Sequence, residues 1–170
     1  MASANVAERA LALIDWSSLR AVGGDGEGVQ RAIEELLLSE SGEAAQRAYW
    51  GIENHAFVQG ELFEVSGACS SVLIASLADP REKWVRVAVL ELIFQIICGH
   101  ASASPGTPAD IVQRCRRVVR EGLWLLYREA ICGERDAALD VLEQLGEGER
   151  ARRLLSTATA DATHARRGRP

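Results

Sequence analysis

The sequence predicts an all-α fold, a short α-solenoid in which antiparallel helix pairs stack on one another. Three observations predict it. Apolar residues recur three and four apart along nearly the whole chain, the spacing of one helix face. No segment alternates apolar and polar residues between Gly/Asn turns, so strand signals are almost absent. The helical segments also fall into pairs that begin some 32 and 49 residues apart, which brackets the roughly 40–47-residue period of HEAT and armadillo units. One pair cannot cover its own apolar face, and stacking makes a continuous core.

A first helix is expected over 5–14, broken by Asp15-Trp16-Ser17-Ser18. Gly23, Gly24, Gly26 and Gly28 then read as a flexible acidic loop. Helices follow over 29–38, with Val29, Ile33, Leu36 and Leu37 on one face, and over 43–53. After a connection at 54–60, a long helix is expected over 61–78, with Leu62, Val65, Cys69, Val72, Leu73 and Ser76 as its apolar stripe. Asp79-Pro80-Arg81-Glu82 has the chemistry of a helix start: a capping acid, a proline at the first helical position, and Glu82 three after the cap. The helix behind it, to residue 98, is apolar nearly all round and should lie between neighbours. Thr107-Pro108-Ala109-Asp110 repeats the start chemistry before a helix running to about 132, which Gly133 ends. Shorter helices are expected over 134–145 and 147–155. Residues 1–155 thus read as one helical domain, and the small, polar, arginine-rich stretch 156–170 reads as a disordered tail.

Composition narrows the function classes. No run of about 20 uninterrupted apolar residues exists to span a bilayer, and Arg86, Glu91 and Gln95 interrupt the most apolar stretch. No secretory signal is legible, so the expected compartment is the cytoplasm, with no membrane partner. Cys69, Cys98, Cys115 and Cys132 sit among apolar residues without C-x-x-C spacing, and they read as reduced core thiols. Net charge is −5 but uneven: residues 1–80 hold 12 acids and 4 bases, whereas residues 81–170 hold 12 acids and 15 bases. The first half should repel nucleic acid and attract basic surfaces.

Leu13-Ile14-Asp15-Trp16-Ser17-Ser18-Leu19 resembles the opening of a widespread bacterial family of HEAT-like proteins. Tyr49-Trp50-Gly51-Ile52-Glu53-Asn54-His55 and Val58-Gln59-Gly60-Glu61-Leu62-Phe63-Glu64 resemble that family's central motif, and Leu77-Ala78-Asp79-Pro80 follows as in the family. The resemblance covers about residues 11–100. It departs where family members often carry proline in the helix after the motif and this chain has Ser70-Ser71. The resemblance implies a HEAT-like fold. Some bacterial helical-repeat proteins are immunity proteins, each neutralising a toxin from its own gene neighbourhood, and this sets the expected role.

The motifs argue against most chemistry. A phosphate loop needs a lysine and a hydroxyl after its glycines, whereas Asp25 and Glu27 would repel phosphate. Glu53, Asn54 and His55 could form an acid–base cluster, but no nucleophile is paired with them. At a helix end, His55 is expected to cap carbonyls and Asn54 to take the left-handed turn. Three scattered histidines make no metal site, and no cofactor is implied. Arg114, Arg116, Arg117 and Arg120 read as an ion-paired helix face rather than a nucleic-acid surface. Of the four tryptophans, Trp50 stands beside the acidic motif as a candidate interface anchor.

These readings converge on a non-enzymatic protein-binding module, expected to hold a toxin domain with a basic surface. The expected contact residues are Asp25, Glu27, Glu34, Glu35, Trp50, Glu53, Asn54, His55, Gln59, Glu61 and Glu64. A host scaffold, or a small-ligand binder or enzyme using Glu53, His55 and Gln59, are the alternatives.

Overall fold

The computed structural model describes residues 5–156. Helices dominate: α1 (Val6–Ala12), α2 (Glu27–Leu37), α3 (Gly42–Ala56), α4 (Val65–Ser76), α5 (Lys83–Cys98), α6 (Ile111–Glu121), α7 (Leu123–Cys132), α8 (Arg135–Gln144) and α9 (148–156). The expected pairs pack together, α2 with α3, α4 with α5, and α7 with α8. Further contacts run between pairs. α2 and α6 both meet α4, while α3 and α8 both meet α5. The apolar periodicity has its expected consequence here. Val65, Cys69, Val72, Leu73 and Ser76 are buried on α4, and Val89, Leu92, Ile93 and Ile96 are buried on α5. Of the expected tail at 156–170, Ser156 is helical and belongs to α9, and the remainder lies outside the described residues.

Short strands correct the strand-free expectation. β1 (Arg20–Ala21) pairs antiparallel with β2 (Gly24–Asp25). β3 (Phe57–Val58) pairs antiparallel with β4 (Glu61–Leu62), and β5 (His100–Ala101) joins β4 in parallel. Two-residue ladders are too short to show an alternating pattern, which is why the sequence hid them. The β3–β4 turn has Gln59 at φ 51° and Gly60 at φ 82°, the pair of positive values that tight hairpins favour. Asn54 therefore does not take the left-handed turn; it remains inside α3.

The glycine-rich segment is likewise a hairpin rather than a free loop. Val22 N–H donates to the His55 carbonyl at 2.8 Å, and Gly26 N–H donates to the Trp16 carbonyl at 3.0 Å. A Cβ at Gly26 would stand 2.8 Å from that carbonyl oxygen, so the close approach requires glycine.

Both proline-containing starts differ from expectation. α5 begins at Lys83, and Asp79 does not cap it. The Asp79 carboxylate instead accepts from Val6 N–H and Ala7 N–H at 3.0 and 3.1 Å, so it holds the N-terminus of α1. α6 begins at Ile111, where Asp110 makes no capping bond but pairs with Arg114 at 2.8 Å. The expected helix to 132 is also divided at Gly122, with α6 before it and α7 after it. Glycine is needed at that point because the backbone passes close to α4: a Cβ at 122 would overlap Ile74.

Candidate functional site

α3 is set by a local signal. Ser41 caps it by accepting from Ala44 N–H at 3.2 Å. Small residues then let it lie close to α2: a Cβ at Gly51 would already sit 3.1 Å from the Ala32 Cβ. That docking turns Tyr49 toward α5. Tyr49 is 8% exposed, while its neighbour Trp50 is 51% exposed. The two rings meet edge to face, with centroids 5.4 Å apart and an interplanar angle of 88°.

α5 crosses beside α3 and presents Trp84, Val87, Ala88, Glu91, Phe94 and Gln95 at helical spacing. Trp84 Nε1 donates to the Ser39 carbonyl at 3.1 Å, which fixes the indole. α8 supplies Ala137 and Asp140 on the far side. The result is a groove over α5 made of two adjoining hollows. One, of about 510 Å³, is lined by Tyr49, Glu91, Phe94, Gln95 and Asp140 among others. The other, of about 410 Å³, is lined by Ala45, Tyr49, Trp84, Val87 and Glu91 among others. Tyr49 and Glu91 belong to both. The groove thus combines an aromatic and aliphatic floor with carboxylates at one end, a composition suited to a protein partner.

Electrostatics follow the geometry. Burial pushes the Tyr49 phenol up to about 12, and the charges of Glu53 and Glu91 add to the effect. Burial also raises the Glu53 carboxyl. Tyr127, the chain's other tyrosine, is pushed up to about 12 by burial and by donating to Glu147 at 2.7 Å. Both phenols should therefore ionise near pH 12, with no phenolate absorbance step near the ordinary value of 10.0. Because the folded values are raised, their stabilising contribution is full below pH 10 and is lost as pH climbs toward 12. A near-ultraviolet titration of the native protein checks this, and a step near pH 10 would contradict it.

The expected contact residues are dispersed over several elements. Trp50 and Glu53 accompany Tyr49 on α3 beside the groove. Asp25 accepts from Glu27 N–H at 3.0 Å at the start of α2, and exposed Glu27 stands 3.9 Å from Arg31. On α2, Glu34 accepts from Gln30 at 3.0 Å and Glu35 is exposed. Asn54 is exposed. His55 Nδ1 lies 2.7 Å from the Gly51 carbonyl, the helix-end contact expected of it. Glu53 and His55 are two apart on a helix, so they point to different sides. Gln59 is in the β3–β4 turn. Glu61 accepts from Ser102 Oγ at 3.1 Å, and Glu64 accepts from Arg20 N–H at 3.2 Å. Glu64 therefore ties the first hairpin to the start of α4, and Glu61 ties β4 to the segment after β5.

Sequence reasoning missed Tyr49, Trp84, Glu91, Phe94 and Asp140. A usable signal existed in α5, where Glu91 and Gln95 interrupt an apolar helix one turn apart, marking a solvent-facing stripe that also carries Trp84. Of the other aromatics, Trp16 is buried and Trp124 is 67% exposed, with the Arg150 guanidinium 5.3 Å from its ring. The arginine cluster is ion-paired only in part: Arg114 meets Asp110 and Arg120 meets Glu147, whereas Arg116 donates to the Ile97 carbonyl. The thiols need one correction. Cys69 and Cys115 are buried and their pKa values are raised, that of Cys115 to about 11, but Cys98 and Cys132 are exposed. Among the described residues, no group of three His, Cys, Asp or Glu side chains could hold a metal, and no helix is long and apolar enough to cross a membrane. No family model matches the chain, and no curated protein or solved structure matches it.

Proposed function

We propose that the protein is a non-enzymatic binding module that holds a basic surface of a protein partner in the groove between α3, α5 and α8. The order of helix contacts supports reading the architecture as a short HEAT-like α-solenoid, a form that offers such concave faces to partners. The observation that carries the functional reading is the groove itself. Exposed Trp50 stands beside a floor of Tyr49, Trp84, Val87 and Phe94, and Glu53, Glu91 and Asp140 supply negative charge along it. Aromatic anchors contribute affinity, and the charge steers and selects a basic partner. The resemblance to HEAT-like bacterial proteins makes a toxin domain, silenced in the cytoplasm by this chain, the partner we favour.

Co-expression with each adjacent open reading frame tests this. The expected result is a growth-arresting neighbour that is bound and silenced. Trp50→Ala should weaken that complex by about 2 kcal/mol, roughly thirtyfold. Raised salt should slow its association. A housekeeping assembly with no toxic neighbour would favour a host scaffold instead. A complex indifferent to both Trp50→Ala and Glu91→Arg would remove the groove from the interface.

A further inference from the structure

The carboxylates of Glu53, Glu91 and Asp140 have no ion-pair partner among the described residues, whereas Glu129, Glu134, Glu143 and Glu147 each meet an arginine. Lys83 is a cation in the groove's lining, and it is turned toward Glu134 at 3.9 Å. Among the described residues, no Lys or Arg lines the hollow that holds Glu91 and Asp140. Tyr49 adds a polar group to the same hollow. Tyr49 is more than nine-tenths buried and lines both hollows, yet its hydroxyl has no hydrogen-bond partner among the described residues. Solvent reaches that hydroxyl in the hollow, so an N–H of a bound side chain can take the place of water there.

We propose that the corner formed by Glu91, Asp140 and Tyr49 is a receptor for one arginine side chain of the partner, and that Trp84 and Val87 hold an apolar side chain of the same segment. A guanidinium suits this corner better than an ammonium. Its planar fork donates to two carboxylates at once, and its remaining N–H groups can reach the phenol oxygen. The two subsites are set apart by α5: Trp84 and Glu91 are seven residues apart, about 10 Å along the helix axis. The partner segment therefore presents its arginine and its apolar anchor about 10 Å apart, seven residues along a helix or three along an extended strand.

This inference rests on reading the groove as the partner surface, and its test does not need the partner. Agmatine (a free guanidinium) and benzamidine (an amidinium on an aromatic ring) are titrated into the whole protein and followed by NMR, with choline chloride at equal ionic strength as the control. The expected result is saturable binding in the millimolar range, about 1–10 mM, that shifts Tyr49 and Trp84 signals and is absent with choline. The exposed-site variant Glu91→Gln/Asp140→Asn should weaken both ligands at least tenfold, and Tyr49→Phe should weaken them less. Trp84→Ala should weaken benzamidine more than agmatine. Shifts that stay linear up to about 50 mM, or binding unchanged in the double variant, would overturn the proposal. Saturable guanidinium binding with no protein partner in the co-expression experiment would sustain the receptor and remove the protein-binding reading. A partner held equally well by the double variant would do the reverse.

Discussion

Glu129→Ala is expected to destabilise the protein by roughly 3 kcal/mol, the lower end of what removing one member of a buried ion pair costs. The Glu129 carboxylate is 3% exposed. It stands 3.7 Å from Arg86 Nε and 3.3 Å from Arg128, and it accepts from Glu134 N–H at 3.3 Å. Arg86 also pairs with Glu134 at 2.8 Å, and Arg128 donates to the Leu77 carbonyl. One carboxylate thus connects α5, α7 and the start of α8. Removing it leaves the partly buried Arg86 with a single acid and strands the Glu134 N–H. The lower end applies because Arg128 is nearly half exposed and solvent can take over its charge. Gln at this position keeps an acceptor for Glu134 N–H and should cost less than alanine. Urea unfolding measures both, and a loss under about 1 kcal/mol for alanine would show that the network is only decorative. Gly133 belongs to the same arrangement, since a Cβ there would overlap the Glu129 carboxylate.

Gly122→Ala should also destabilise, by about 1–3 kcal/mol, against the ordinary preference of helices for alanine over glycine. The backbone does not require glycine at this position, because φ is −97°. The obstacle is Ile74 of α4, whose Cγ1 would be overlapped and whose Cδ1 would stand 2.9 Å from the new Cβ. Ile74 is 5% exposed, so its side chain is packed within the core. A double-mutant cycle isolates the cause. Ile74→Ala alone leaves a cavity and costs about 2–5 kcal/mol. Combined with Gly122→Ala, the total should fall short of the sum by at least about 1 kcal/mol, because the deleted side chain is the one the new methyl strikes. Strict additivity would mean that the cost of Gly122→Ala does not arise from Ile74.

Local chemistry was legible where its partners are local. The stripe at Val65, Cys69, Val72 and Leu73 follows from spacing and is buried as expected, and α5 is buried on most of its circumference but keeps one stripe, with Glu91 and Gln95, open to solvent. His55 meets the Gly51 carbonyl four residues back, as a helix-end residue should. By contrast, Asp79 looks like the cap of the helix behind it but serves one that begins 73 residues earlier, at Val6. The acids of the central motif looked like a recognition surface. Two of them, Glu61 and Glu64, are engaged by Ser102 and by the Arg20 backbone, 41 and 44 residues away.

The candidate site divides along the same line. Trp50 and Glu53 could be singled out because they share one motif on one helix. Tyr49, Trp84, Glu91 and Asp140 could not, since their significance arises only when α3, α5 and α8 come side by side. Sequence by itself determined the helical class, the order of the principal helices and the faces they bury, because a 3.6-residue period is written in consecutive residues. Tertiary structure alone decided where glycine is sterically required, which carboxylates have partners, and which stand unpaired around Tyr49. Those outcomes depend on distances between residues far apart in the chain, and such distances exist only once the helices have packed.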